Sequence, residues 1–517
     1  MAVIRADAME YRNPIIPGYH PDPSICRVGN DYYLVNSTFE FFPGVPIFHS
    51  RNLVNWDLVS YALTRRSQLE LEGCRNSGGI YAPSIRYHDG IFYMITTNVT
   101  WKGNFIVHSP SIEGPWSEPA WVDQDGIDPS LFWDDDGTCY YCSTGRKGGV
   151  KHIWAFAIDP LTGEILSEKH PISTGCGGPA TEGPHIYKVN GWYYLMMAEG
   201  GTEYQHHEVI TRSRHVFGPY EPCPYNPILA HKSRKGHEIQ ATGHADLVED
   251  QNGNWWCVFL AYRNFSKALL HNLGRETFLA PVHWTDDGWP IVGDGGHVEL
   301  KMDGPLPQQP EPVCHDIQWN FSSDKMDLRF EYTRNPDMAN YTLDPGSGTL
   351  TLTGTEVTLS VPCSSPTILS TQQPSFFTET VVAMDAAKTS ADRAGISAFY
   401  NNDYHYDLYL SRRDRKLFAG FTKAIHDMTV EIARVPLETE DDEIRLIMKT
   451  DREKYSFYVQ AGQTEPLFMG SGHNAGLSTE GTKTMTFTGT MIAMFAEKGQ
   501  GVFRSFSMKE LPDPAYE

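Results

Sequence analysis

Long apolar runs are missing from this sequence. No stretch of about 18 apolar residues occurs, so no helical membrane span is predicted. Residues Met1 through Glu10 carry no apolar leader core. The expectation is a cytoplasmic protein, or a secreted one if a leader has been removed. Basic runs are missing too. With 42 Lys and Arg against 64 Asp and Glu, the net charge is −22. Nucleic acid and acidic membranes are therefore excluded as expected partners, because both call for a basic face. Cysteine is sparse and scattered. The nine thiols are odd in number, and Cys139-x-x-Cys142 has no second pair at zinc-site spacing. They are expected to be reduced and mostly buried. Helix signals are scarce as well. Short apolar-aromatic runs alternate with Gly, Asn, Asp and Pro, which predicts an all-β protein.

What the sequence does have is length and repetition. Its 517 residues exceed one ordinary core, so two domains are expected. A Gly-containing turn followed by strand aromatics recurs five times. The copies are Gly29-Asn30-Asp31-Tyr32-Tyr33, Asp89-Gly90-Ile91-Phe92-Tyr93, Asp136-Gly137-Thr138-Cys139-Tyr140, Asn190-Gly191-Trp192-Tyr193-Tyr194 and Asn252-Gly253-Asn254-Trp255-Trp256. Asp-Gly and Asn-Gly before strand residues are hairpin turns, with both turn positions at positive φ. Five hairpins at spacings of about 47 to 62 residues match the blades of a five-bladed β-propeller.

Seven to nine residues before each turn glycine stand Asp22, Ala82, Asp128, Glu182 and His244, in similar contexts such as Asp22-Pro23-Ser24 and Asp128-Pro129-Ser130. The first strand of a propeller blade lines the central axis, so equivalent positions ring one point. Taken singly, Asp before Pro is ordinary turn punctuation, and a lone Glu or His is a solvated or structural residue. At equivalent repeat positions they converge. Converging carboxylates raise one another's pKa values, a cost that function explains better than folding does. Two carboxyls flanking a bond are the equipment of glycoside hydrolysis, one protonated and one ionised, with a third tuning the acid. Two other uses stay open at this point: chelation of a divalent ion, and a propeller that grips glycans without cutting them.

Further strings, in order along nearly the whole chain, carry a resemblance. They include Asn13-Pro14, Pro21 through Arg27, Ser37 through Val45, Asn76 through Pro83, Thr181 through His185, Ala198 through Thr202 and Gly274 through Phe278. Together they resemble glycoside hydrolase family 43, in its two-domain β-xylosidase and α-L-arabinofuranosidase branches. The resemblance implies Asp22 as general base, Glu182 as general acid, and Asp128 as the group that tunes and orients the acid. It implies Arg275 as a sugar-binding donor fork, against the alternative of a surface ion pair with Glu276. Phe39 and Tyr81 become pocket walls, against the alternative of ordinary core. Relatives often hold calcium on the axis through a histidine, here His244, and waters, in a structural or electrostatic role; no cofactor is implied for the chemistry itself. The β-xylosidase branch carries Trp where this chain has Tyr81, which favours arabinofuranosides.

The predicted organisation is a propeller catalytic domain over residues 1–304, a Pro-rich linker over 305–316 and a lectin-like β-sandwich over 317–517. Period-two runs such as Thr349 through Gly354 support the last. The expected role of the sandwich is to close one side of the site, leaving a pocket for chain ends. The expected activity is an inverting exo-glycosidase that releases terminal α-L-arabinofuranosyl or β-D-xylosyl residues. Its expected partner is an oligosaccharide substrate, and a homo-oligomer is compatible with the sequence.

Overall fold

The computed structural model describes residues 8–265, 269–414, 416–438 and 442–514. The outermost positions of the two predicted domains, 1–7 and 515–517, lie outside the described residues. Five antiparallel four-stranded meanders follow one another, the fourth with a short extra strand, Leu229–Ala230, paired to its third. Their innermost strands are Ser24–Val28, Ser84–His88, Ser130–Trp133, Glu182–Val189 and Ile239–Glu249. All five turn glycines have positive φ, between 64° and 85°. At Asp89-Gly90 and Asn190-Gly191 both turn residues are left-handed, as the dipeptides predict. The turns at Gly137 and Gly253 differ from that expectation. Their strands separate at Trp133–Cys139 and Glu249–Trp255, leaving longer loops. In the second loop Asp250 Oδ1 accepts from the amides of Asn252 and Asn254, so a side chain does the work of the second left-handed residue.

Apolar faces of adjacent blades meet in five separate cores, one per blade junction. The junction between the last and first blades packs Tyr32, Leu34 and Phe48 against Trp256, Val258 and Leu279. The ring is fastened there by the chain's beginning. Met9–Arg12 pairs with Lys301–Gly304, and Asn13 exchanges hydrogen bonds with the backbone of Leu279 at 2.9 and 2.8 Å. The linker is pinned rather than free. Asn55 donates to the Glu311 carbonyl and accepts from its amide, both at 2.9 Å.

Beyond the linker two eight-stranded sheets enclose a core that includes Leu350, Ile396, Leu408, Leu446, Met494 and Phe503. One of these sheets does not stop at the domain border. Its edge strand is Phe41–Phe42, contributed by the first blade and paired with Phe330–Thr333. Arg334 then enters the junction fully buried, donating to the carbonyl oxygens of Cys74 and Ser364 and to Asn76 Oδ1. Close backbone approach adds a second seam. A Cβ on Gly489 would stand 2.2 Å from the Leu273 carbonyl oxygen, and Gly274 (φ 93°) faces Gly489.

Candidate active site

The axial residues do meet. Asp22 and Asp128 stand just before the head of an innermost strand, His244 stands within one where its register shifts, and each is left-handed (φ 52°, 58° and 49°). That conformation is uncommon for residues with a Cβ and is characteristic of functional sites. Here it turns three side chains out of the strand pleat toward the axis. Glu182 arrives differently. A register shift between Glu182 and His185, with Gly183 at φ 58°, re-aims the strand end as bulges do. The loop before it is tied down by Glu199, which accepts from the amides of Cys176 and Gly178 at 2.6 and 2.9 Å. Ala82, the equivalent residue of the second blade, supplies no charge.

Within this ring the surroundings push the carboxyls apart in acidity. Burial pushes Asp22 upward, but Arg275, His244 and a hydrogen bond from Ser37 outweigh it and hold it below the usual carboxylate range. Arg275 Nη1 lies 3.1 Å from Asp22 Oδ1, and His244 Nδ1 lies 3.7 Å from the same oxygen. Glu182 goes the other way. Burial first, then the neighbouring Asp128 charge, raises it to about 7, although Lys151 Nζ at 3.6 Å pulls downward. Asp128 is itself raised, mainly by burial, and its Oδ2 accepts from the Gly183 amide at 3.1 Å. One acid therefore tends to stay ionised and another to keep its proton near neutrality, which is the division of labour for hydrolysis. The Gly183 backbone also leaves room for His244: a Cβ there would sit 3.2 Å from the imidazole.

Arg275 does not pair with its neighbour Glu276. Glu276 is engaged by Arg263 at 2.7 Å. Arg275 faces the site and also donates to Thr202 Oγ1 at 2.8 Å and to the Phe487 carbonyl at 3.2 Å. Phe39 and Tyr81 pack together in an aromatic cage, with ring centres 5.3 Å apart, and Phe39 is buried in a core cluster with Tyr19, Phe41 and Met491. The third ring of that cage is Phe487, 5.5 Å from Phe39 and 5.7 Å from Tyr81, brought in by the sandwich domain. Sequence reasoning missed Phe487, because it belongs to no repeat and lies 410 positions from Ser77, the residue whose hydroxyl receives its amide. It also missed Ser37, Lys151, Thr202 and the buried His206. Of these, Ser37 and Thr202 lie inside strings already singled out.

The side chains around His244 do not by themselves supply a calcium site. That ion takes six to eight oxygen ligands at 2.3–2.6 Å. Here one imidazole nitrogen is turned to Asp22, and among the described residues no group of three or more His, Cys, Asp or Glu side chains could hold a metal ion.

Comparison with known proteins agrees with this geometry. Residues 11–290 match the model of glycosyl hydrolases family 43, and residues 318–505 match the beta xylosidase C-terminal concanavalin A-like domain. A non-reducing end alpha-L-arabinofuranosidase from Bacteroides ovatus is 39% identical over 96% of this chain and 93% of its own. A xylosidase/arabinosidase from Butyrivibrio fibrisolvens is 37% identical over 94% and 95%. Among solved structures, the Bacteroides ovatus xyloglucan-locus GH43B superposes with a TM-score of 0.91 at 36% identity, covering 97% of this chain and 100% of that one. A xylan beta-1,4-xylosidase from Bacillus halodurans gives 0.90 at 34%, covering 96% and 100%. With a family model matched over residues 11–290 and relatives 37% and 39% identical over nearly the whole chain, this chain belongs to glycosyl hydrolases family 43 and is a glycosidase.

Proposed function

We propose that the enzyme removes single α-L-arabinofuranosyl residues, and more slowly β-D-xylosyl residues, from non-reducing ends and side branches of hemicellulose-derived oligosaccharides, with inversion. The observation that carries this reading is the opposed tuning of Asp22 and Glu182 within one ring. Glu182, still protonated near neutral pH, gives its proton to the glycosidic oxygen as the bond to the anomeric carbon breaks. Asp22, ionised, takes a proton from the water that attacks that carbon from the opposite face. Asp128 repels the charge forming on Glu182 and, through the Gly183 amide, fixes the backbone beside it. Arg275 offers donors to sugar hydroxyls while holding Asp22. The cage of Phe39, Tyr81 and Phe487 limits the pocket to one sugar ring. Tyr81 also ends in a hydroxyl, bonded to the Ser77 carbonyl at 3.2 Å, and is smaller than Trp, which favours the more compact furanose. The names of the relatives, an arabinofuranosidase and a xylosidase/arabinosidase, support both sugars.

The test is kcat/KM on an aryl α-L-arabinofuranoside and an aryl β-D-xyloside, with the anomer of the first-formed sugar followed by NMR. The expected result is higher kcat/KM on the arabinofuranoside and release of the β-anomer from it. Release of the α-anomer would rule out inversion, and a xyloside preference would reverse the reading of Tyr81.

A further inference from the structure

Beneath the catalytic ring lies a second tier of axial residues. Two positions after Asp22, Ala82, Asp128 and His244, and three after the bulged Glu182, stand Ser24, Ser84, Ser130, Asp246 and His185. The centre of this tier is filled by a guanidinium. Arg86, on the innermost strand of the second blade, donates through Nη1 to Asp246 Oδ2 at 2.8 Å, Ser24 Oγ at 3.2 Å, the Ile85 carbonyl at 2.8 Å and the Ile25 carbonyl at 3.4 Å. Through Nη2 it donates to Asp246 Oδ1 at 3.1 Å and to His185 Nδ1 at 3.0 Å. Asp246 is fully buried and also accepts from Ser24 Oγ at 2.7 Å, the Ile25 amide at 3.0 Å and the Tyr187 hydroxyl at 2.6 Å. Innermost strands of the first, second, fourth and fifth blades thus converge on one planar cation. Its bidentate fork is a geometry a spherical ion does not reproduce.

We propose that Arg86 is the resident cation of the propeller axis and a positioning residue for catalysis, so that this enzyme needs no divalent ion there. Ser24 lies two residues from Asp22, and Asp246 lies two residues from His244. By gripping Asp246 and Ser24 together, Arg86 sets the approach of His244 to Asp22. It also neutralises a buried carboxylate beneath the three catalytic ones. Removing the guanidinium leaves Asp246 as an unpaired buried charge and loosens that approach. The inference rests on Asp22 acting as the base.

The experiment combines metal analysis with Arg86 variants of the full chain. Wild-type protein is expected to carry no stoichiometric calcium and to keep its kcat/KM and thermal midpoint after exhaustive dialysis against chelator. Arg86→Met is expected to lose about tenfold or more in kcat/KM. The loss should fall on kcat with KM little changed, because Arg86 touches none of the residues that face the sugar. Added guanidinium ion should recover part of the loss. If Arg86→Met fails to fold, Arg86→Lys keeps the charge without the fork and should show a smaller loss of kcat, again with KM little changed. A copurifying divalent ion whose removal lowers activity or midpoint would overturn the proposal, as would an unchanged kcat in both variants. If wild type cleaves neither glycoside, the functional reading fails, whereas metal content and midpoint still report on Arg86.

Discussion

Glu182 and Asp22 belong to one ring, and what separates them is their neighbours rather than their depth. Both are withdrawn from solvent, which favours the protonated form. Only Asp22 has a guanidinium, an imidazole and a hydroxyl directed at its oxygens. Activity should therefore fall at alkaline pH as Glu182 releases its proton near about 7, and at acid pH as Asp22 gains one below the usual carboxylate range. Asp128→Asn removes a repelling negative charge, so the alkaline limb of kcat/KM should move to lower pH. Lys151→Met removes an attracting positive charge, so the same limb should move to higher pH. Parallel shifts in the two variants would refute the assignment of that limb to Glu182. Glu182→Ala should lose about 10³-fold on oligosaccharides and far less on aryl glycosides with good leaving groups, which need little protonation. Equal losses on the two substrates would remove Glu182 from the acid's role.

At the scale of elements, the segment around Phe487 decides whether the ring becomes a pocket. Gly489 lets that segment lie against the Leu273–Gly274 backbone, and the Thr490 amide donates to the Asn272 carbonyl at 2.8 Å. Gly489→Ala would drive a methyl group into the Leu273 carbonyl and lift Phe487 from Arg275. We expect KM to rise about tenfold and the thermal midpoint to fall by a few degrees, because backbone on both sides of the seam must shift. An unchanged KM would mean that the third ring of the cage is dispensable. This element also marks where the sequence stops being informative. Blades were legible because each hairpin announces itself locally, by a Gly with positive φ ahead of aromatics, and because five copies align the axial residues without knowledge of the fold. The reach of Glu182 was legible only as a position, since its bulge has no local signature beyond Gly183. Phe487 and Arg86 were invisible for different reasons. The first acts across a domain border, and the second sits four residues beyond Ala82, where no other blade offers a matching arginine.

The molecule as a whole behaves as one body at the domain border, and two buried carboxyls there give it a pH signature. Burial raises Glu40 to about 7, against the opposing pull of Arg334, and raises Glu331 to about 8. A carboxyl whose folded pKa exceeds its unfolded value contributes stability that is complete below the unfolded value and is lost as pH rises through the folded one. Unfolding midpoints in urea should thus fall between pH about 4.5 and about 8, and Glu40→Gln with Glu331→Gln should flatten that slope. A slope unchanged in the double variant would mean that other groups set it. The same border orders events during synthesis. Phe41 and Phe42 leave the ribosome early, yet the strand they pair with belongs to the second domain, and Ser77 waits 410 residues for Phe487. At about 5–20 residues per second the wait lasts about 20 to 80 seconds. Throughout it the nascent chain carries its carboxylates on an unfinished cup, so a stalled or truncated product is a propeller without a working pocket.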